Sequence, residues 1–88
     1  MRIAICDDNI EFLNQIEDIV MHTYKEMQME IEVSLFQDGQ DLLAEIKRDE
    51  VDIDLLLLDI DMPEVSGLEM AKIIREMGKE SILIFISS

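Results

Sequence analysis

Several things are scarce in this chain, and each scarcity narrows what it can be. There is one cysteine, Cys6, so no disulfide can close within the chain, which fits a reducing compartment such as the cytoplasm. One histidine, His22, and one thiol fall short of the Cys/His ligand set of a zinc site. No apolar run approaches the roughly 20 residues that span a bilayer. The opening MRIAIC meets Asp7 after six residues, too early for the apolar core of a secretory signal. Basic side chains are few: 7 stand against 21 acidic ones, for a net charge of −14. A surface of that sign is repelled by nucleic acid and anionic lipid, so neither nucleic acid nor membrane is expected as a direct partner. It suits a metal cation or a basic partner, although most of the charges serve as a solvated surface.

What is present is the pattern of a small folded domain. Hydrophobic residues make up 49% of the 88 residues, too many for a disordered chain. There is no internal repeat, low-complexity tract or linker, so the chain reads as one domain with a continuous core. Arg2 to Cys6 is a short isoleucine-rich strand that stops at Asp7-Asp8. Leu13, Ile16, Val20, Tyr24 and Met27 then recur at helical spacing. Asp8 and Glu11 have the spacing of a capping box, which starts that helix at residues 8 to 10. Glu30 to Phe36 alternates as a second strand. Asp38-Gly39 marks a turn, and Leu42, Leu43 and Ile46 give a short helix ending near Lys47-Arg48. Ile53 to Leu58, apolar except at Asp54, has the composition of a strand covered on both faces. Met70, Ile73, Ile74 and Met77 form a third helical stripe closed by Gly78, and Ser81 to Ser88 reads as a fourth strand.

Strands alternating with helices build a parallel sheet with helices on both faces, joined by right-handed crossovers. In such sheets ligands bind beyond the carboxyl ends of the strands. Asp7-Asp8, Asp59 and Ser87-Ser88 all fall at such ends. If the first and third strands are neighbours, three carboxylates share one crevice. Mutual repulsion then either raises a pKa or recruits a cation. Oxygen ligands alone suit Mg²⁺, which keeps several waters and leaves positions open to phosphate oxygens. An aspartate in such a place can act as a nucleophile and form an acyl phosphate.

At this point the chain resembles the receiver domain of a two-component response regulator. The resemblance rests on Asp7-Asp8 after the first strand and on Asp59, Met62, Pro63 and Gly67 in the pattern D-x-x-M-P-x-x-x-G. Ser87 adds to it, ending the fourth strand where the family has a Ser or Thr switch. IAICDDN and FQDGQDLL are similar to receivers that precede LytTR-type DNA-binding domains. The resemblance implies a flavodoxin-like (CheY-like) doubly wound α/β fold. It also implies a cytoplasmic signalling module, not an enzyme with turnover, that takes a phosphoryl group from a sensor histidine kinase. Residue by residue, Asp59 matches the phosphoacceptor, Asp8 a direct Mg²⁺ ligand, and Asp7 a ligand acting mainly through water. Asp61 would lend its backbone carbonyl to the metal. Ser87 and Ser88 match the switch hydroxyl and the small residue beside it, and Pro63 and Gly67 shape the loop. Cys6 reads as a small buried hydrophobe and His22 as a surface residue.

The family's domain continues through a fourth helix, a fifth strand bearing a lysine that pairs with the phosphoryl group, and a fifth helix. The chain is therefore expected to be a receiver domain spanning residues 1–88, incomplete and truncated after the fourth strand. Its phosphoryl acceptance should be impaired. Its fourth strand should be an open edge that joins copies into a homo-oligomer. Two alternatives stand beside this reading. One is an interaction fragment that is never phosphorylated. The other is a haloacid-dehalogenase-like phosphatase, whose D-x-D motif the Asp59-Ile60-Asp61 triplet resembles.

Overall fold

The structure is a computed structural model, and it describes residues 1–87. Seven elements alternate along the chain: β1 (Arg2–Cys6), α1 (Ile10–Glu26), β2 (Glu32–Phe36), α2 (Gly39–Arg48), β3 (Leu55–Asp59), α3 (Gly67–Glu76) and β4 (Ile82–Ile86). All strand pairs are parallel, and their order across the sheet is β2-β1-β3-β4. This is the parallel sheet that the alternation predicts, in the doubly wound, flavodoxin-like order that the resemblance implies.

Period-two alternation divides the strand side chains between two cores. Ile3, Ile5, Leu55 and Leu57 point to one face, where α1 contributes Leu13 and Val20. Ala4, Cys6, Leu56 and Leu58 point to the other, where α2 supplies Leu42, Leu43 and Ile46 and α3 supplies Met70 and Ile74. Every residue of β3 is buried, as its unbroken leucine run requires.

The details depart from the sequence reading at several ends. Helix α1 is capped by Asn9, whose side chain accepts the Phe12 N–H, so the Asp8–Glu11 capping box does not form. Met27 lies outside the buried stripe, 57% exposed at the C-cap of α1. β2 begins at Glu32 instead of Glu30. β3 begins at Leu55 instead of Ile53, because the Asp54 carboxylate turns back to accept the Arg2 N–H at 2.8 Å. Asp38-Gly39 is a helix start more than a turn, since Asp38 caps α2 through the Gln40 N–H. Gly78 closes α3 at φ +78°, as its position predicts. β4 ends at Ile86, so Ser87 follows the strand and Ser88 lies outside the described residues.

Among the described residues β4 has one strand neighbour, β3. Ile82, Ile84 and Phe85 remain 62%, 46% and 40% exposed.

Candidate functional site

The parallel pairing sets the site. β1 and β3 are adjacent, with Cys6 opposite Leu58, so Asp7 and Asp59 are the next pair along the two strands. By alternation each continues the row of its strand that faces α1: Ile3 and Ile5 before Asp7, Leu55 and Leu57 before Asp59. Asp7, Asp8 and Asp59 each bring a carboxylate oxygen to within 4.8 Å of the others. The expected convergence of these three residues is therefore observed.

Asp7 is fully buried and Asp59 is 3% exposed, while Asp8 is at the surface. One Asp7 oxygen accepts the Asn9 N–H at 2.8 Å; the other, Oδ2, is buried with no hydrogen-bond partner. Asp59 Oδ1 accepts the Asp61 N–H at 3.3 Å. Burial pushes the Asp7 carboxyl above its ordinary pKa, against the Asn9 amide and with help from the Asp8 charge. Burial likewise raises Asp59, and the neighbouring Asp7 charge adds to it.

A buried carboxylate oxygen without a donor is costly unless something meets it. The donor set here is oxygen only, and its charges repel one another. Both features fit a hard divalent cation. Carboxylate oxygens gathered this closely suit such a cation, held directly or through water.

Other residues singled out by sequence fall around this cluster. Asp61 is exposed and donates its N–H to Asp59. Pro63 is exposed in the loop after β3, and Gly67 is buried at the start of α3. Ile86 pairs with Asp59 across β3 and β4, and its carbonyl accepts the Ile60 N–H at 3.1 Å. Ser87, exposed, is thus at the same edge of the sheet. His22 is on the surface of α1, with its Nε2 3.2 Å from a Glu26 carboxylate oxygen.

Three features of the site escaped sequence reasoning. Asn9 both caps α1 and, through its backbone, steadies Asp7; its place after two aspartates and before an apolar run was a usable signal. The Cys6 thiol lies 3.6 Å from the Met62 sulfur, a contact between segments that no local pattern announces. Burial, followed by the charges of Asp38, Asp7, Asp59 and Asp41, pushes that thiol up to about 12, so it stays protonated. The third is the approach of Gly67 to the Asp59 backbone, where an added Cβ would stand 3.0 Å from the Asp59 carbonyl carbon.

Fold and site together define a receiver-type α/β domain, and comparison with known proteins agrees. The response regulator receiver domain family matches residues 3–88, and the chain belongs to that family. It is 36% identical to the transcriptional regulatory protein FlgR of Helicobacter pylori over 85 residues, which is 96% of this chain and 20% of that protein. It is 32% identical to the transcriptional regulatory protein YpdB of Escherichia coli over 88 residues, all of this chain and 34% of that one. Among solved structures it resembles the response regulator TrrA of Thermotoga maritima in complex with Mg²⁺-BeF, with a TM-score of 0.81 and 27% identity over 98% of this chain and 68% of that one. A receiver domain from Clostridium thermocellum shares the fold at a TM-score of 0.81 and 20% identity, over 98% of this chain and 64% of that chain. The chain thus spans between a fifth and about a third of these curated relatives.

Proposed function

We propose that Asp59 accepts a phosphoryl group from a sensor histidine kinase, with Mg²⁺ held by Asp7, Asp8, Asp59 and the Asp61 backbone carbonyl. The observation that carries this reading is the convergence of three carboxylates around the partnerless Asp7 Oδ2. When bound, the cation neutralises the carboxylates and the incoming phosphoryl oxygens. Asp59 then attacks phosphorus: an O–P bond forms, the donor's P–N bond breaks, and the histidine leaves with a proton. Asn9 and Asp61 hold the two buried carboxylates through backbone amides, so their aim is set before the donor arrives. Ser87 is the hydroxyl that meets the phosphoryl oxygens, and Ser88 the small residue beside it; Pro63 and Gly67 shape the intervening loop.

We read residues 1–88 as the first part of a receiver domain. The wording of IAICDDN and FQDGQDLL supports a LytTR-type DNA-binding output region in the parent protein. Among the described residues, no lysine forms an ion pair with Asp7, Asp8 or Asp59. Lys72 is exposed on α3, and Lys79 follows α3 in an ion pair with Asp49. Acceptance by the 88-residue chain should therefore be slow. The test is mass spectrometry after incubation with a small phosphodonor and Mg²⁺. Labelling of Asp59 that disappears in Asp59→Asn and with EDTA supports the reading. Labelling that persists in Asp59→Asn refutes it.

A second reading, association of copies through β4, is favoured by the exposure of Ile82, Ile84 and Phe85. It is compatible with phosphorylation, and it would stand alone if partner binding were unchanged in Asp59→Asn. A cytoplasmic site of action follows from a kinase that presents its donor there.

A further inference from the structure

The contact between Gly67 and Asp59 goes beyond the shaping of a loop. Gly67 is the first residue of α3, buried, with a negative φ. Its lack of a side chain is therefore not demanded by backbone conformation. It is demanded by space. A Cβ there would penetrate the Asp59 carbonyl oxygen and lie 3.0 Å from the Asp59 carbonyl carbon and 3.3 Å from Ile60 Cα. All three neighbours are backbone atoms, which cannot rotate away as a side-chain tip would. The Gly67 N–H also donates to the Ile60 carbonyl at 3.1 Å.

The peptide unit between Asp59 and Ile60 is thus held at both ends. Its C=O abuts Gly67, and its N–H donates to the Ile86 carbonyl at 3.1 Å, one residue before Ser87. A peptide plane is stiff, so moving one end moves the other. We propose that Gly67 is a positioning residue for Asp59: by letting the start of α3 seat directly on the Asp59–Ile60 peptide, it fixes the direction of the Asp59 carboxylate relative to Ser87. This inference rests on the phosphoacceptor reading of Asp59 and adds a residue that touches neither metal nor phosphoryl group.

A matched glycine supplies the control. Gly78 lies at φ +78° with open space around its would-be Cβ, so Gly78→Ala strains the end of α3 without reaching Asp59. The rate of Asp59 labelling by a small phosphodonor at saturating Mg²⁺ is compared in the wild-type chain, Gly67→Ala and Gly78→Ala. Each is measured at a temperature where it is fully folded by circular dichroism. Misplaced reacting groups lose rate steeply, so Gly67→Ala should fall by about tenfold or more while Gly78→Ala stays within about twofold of wild type. Equal rates in Gly67→Ala and wild type, or an equal fall in both variants, overturn the proposal. If the wild-type chain takes no label, the phosphoacceptor reading fails separately, and NMR decides the positioning. Amide resonances of Ile60 and Ser87 that shift in Gly67→Ala but not in Gly78→Ala uphold it, and resonances unmoved in both overturn it. Should Gly67→Ala not fold, Ser66→Ala carries the rate test, because it removes the α3 cap and loosens the seat without adding an atom. A rate lowered about threefold then supports the proposal, by the same sensitivity to placement, and a wild-type rate overturns it.

Discussion

At the scale of single residues, Asp7 and Asp59 are the unusual groups, since folding buries both and, among the described residues, neither forms an ion pair. Both carboxyls have pKa values raised by burial, so the folded chain binds more protons than the unfolded one over the window between the unfolded value, about 3.9, and the higher folded values. The stability they contribute is complete below the unfolded value and is lost as pH rises through the folded ones. In EDTA, the chain is therefore expected to melt at a higher temperature near pH 5 than near pH 8. Other acidic groups share in a general repulsion, so the decisive measurement is the slope of stability with pH, which should flatten in Asp7→Asn and Asp59→Asn. Removing the buried charge of Asp59, whose carboxyl burial pushes above its ordinary pKa, should raise metal-free stability at pH 8. Mg²⁺ should restore stability to the wild type by about 2.7 kcal/mol at a hundred times its Kd, and should do little for Asp59→Asn. A lower melting temperature for metal-free Asp59→Asn would mean that the carboxylate is a structural partner and not a frustrated ligand.

At the scale of elements, apolar periodicity and strand-end aspartates were enough to read the order of strands and helices, because burial of β3 and the stripes of α2 and α3 is written in residue type. The same letters revealed Asp7, Asp8 and Asp59 as neighbours once β1 and β3 were paired. Helix and strand ends were less legible, since Asn9 and Asp8 compete for one cap and the fate of Asp54 depends on the distant Arg2 amide. The loop between β3 and α3 was legible as a loop shaped by Pro63 and Gly67, but its path was not. There Glu64 adopts φ +69°, and the Val65 N–H donates to the Pro63 carbonyl at 2.8 Å, a tight turn centred on a residue with a side chain. A left-handed φ costs a non-glycine residue roughly 1–2 kcal/mol, partly offset for glycine by the entropy it loses on folding. Glu64→Gly is accordingly expected to leave the stability unchanged or raise it by about 0.5 kcal/mol, and a clear loss in denaturant melts would show that the carboxylate has a partner. Asn9→Ala should cost about 1 kcal/mol through the lost cap. Because the bond to Asp7 comes from the Asn9 backbone, Mg²⁺ affinity measured by calorimetry should survive that change.

At the scale of the molecule, a charge of −14 is spread over 88 residues, yet β4 (ILIFI) carries none of it. The edge of β4 offers unpaired backbone groups with Ile82 and Ile84 exposed on one face and Phe85 on the other, the features that invite pairing with another chain. A two-fold dimer would set two β4 strands antiparallel and extend the sheet, since an isologous contact reuses the same patch on both copies. Opposing it is repulsion between two strongly acidic bodies, which is screened within about 10 Å at 0.1 M salt but reaches about 30 Å at 0.01 M. Association should therefore strengthen as monovalent salt is added, the reverse of an interface held by ion pairs. Ile84→Lys separates the two effects: it lowers the negative charge, which by itself would favour association, while placing an ammonium on the apolar edge. Sedimentation equilibrium should find that variant monomeric at salt concentrations where the wild-type chain is dimeric. If Ile84→Lys instead associates more tightly, long-range charge governs the assembly and β4 is not its seam.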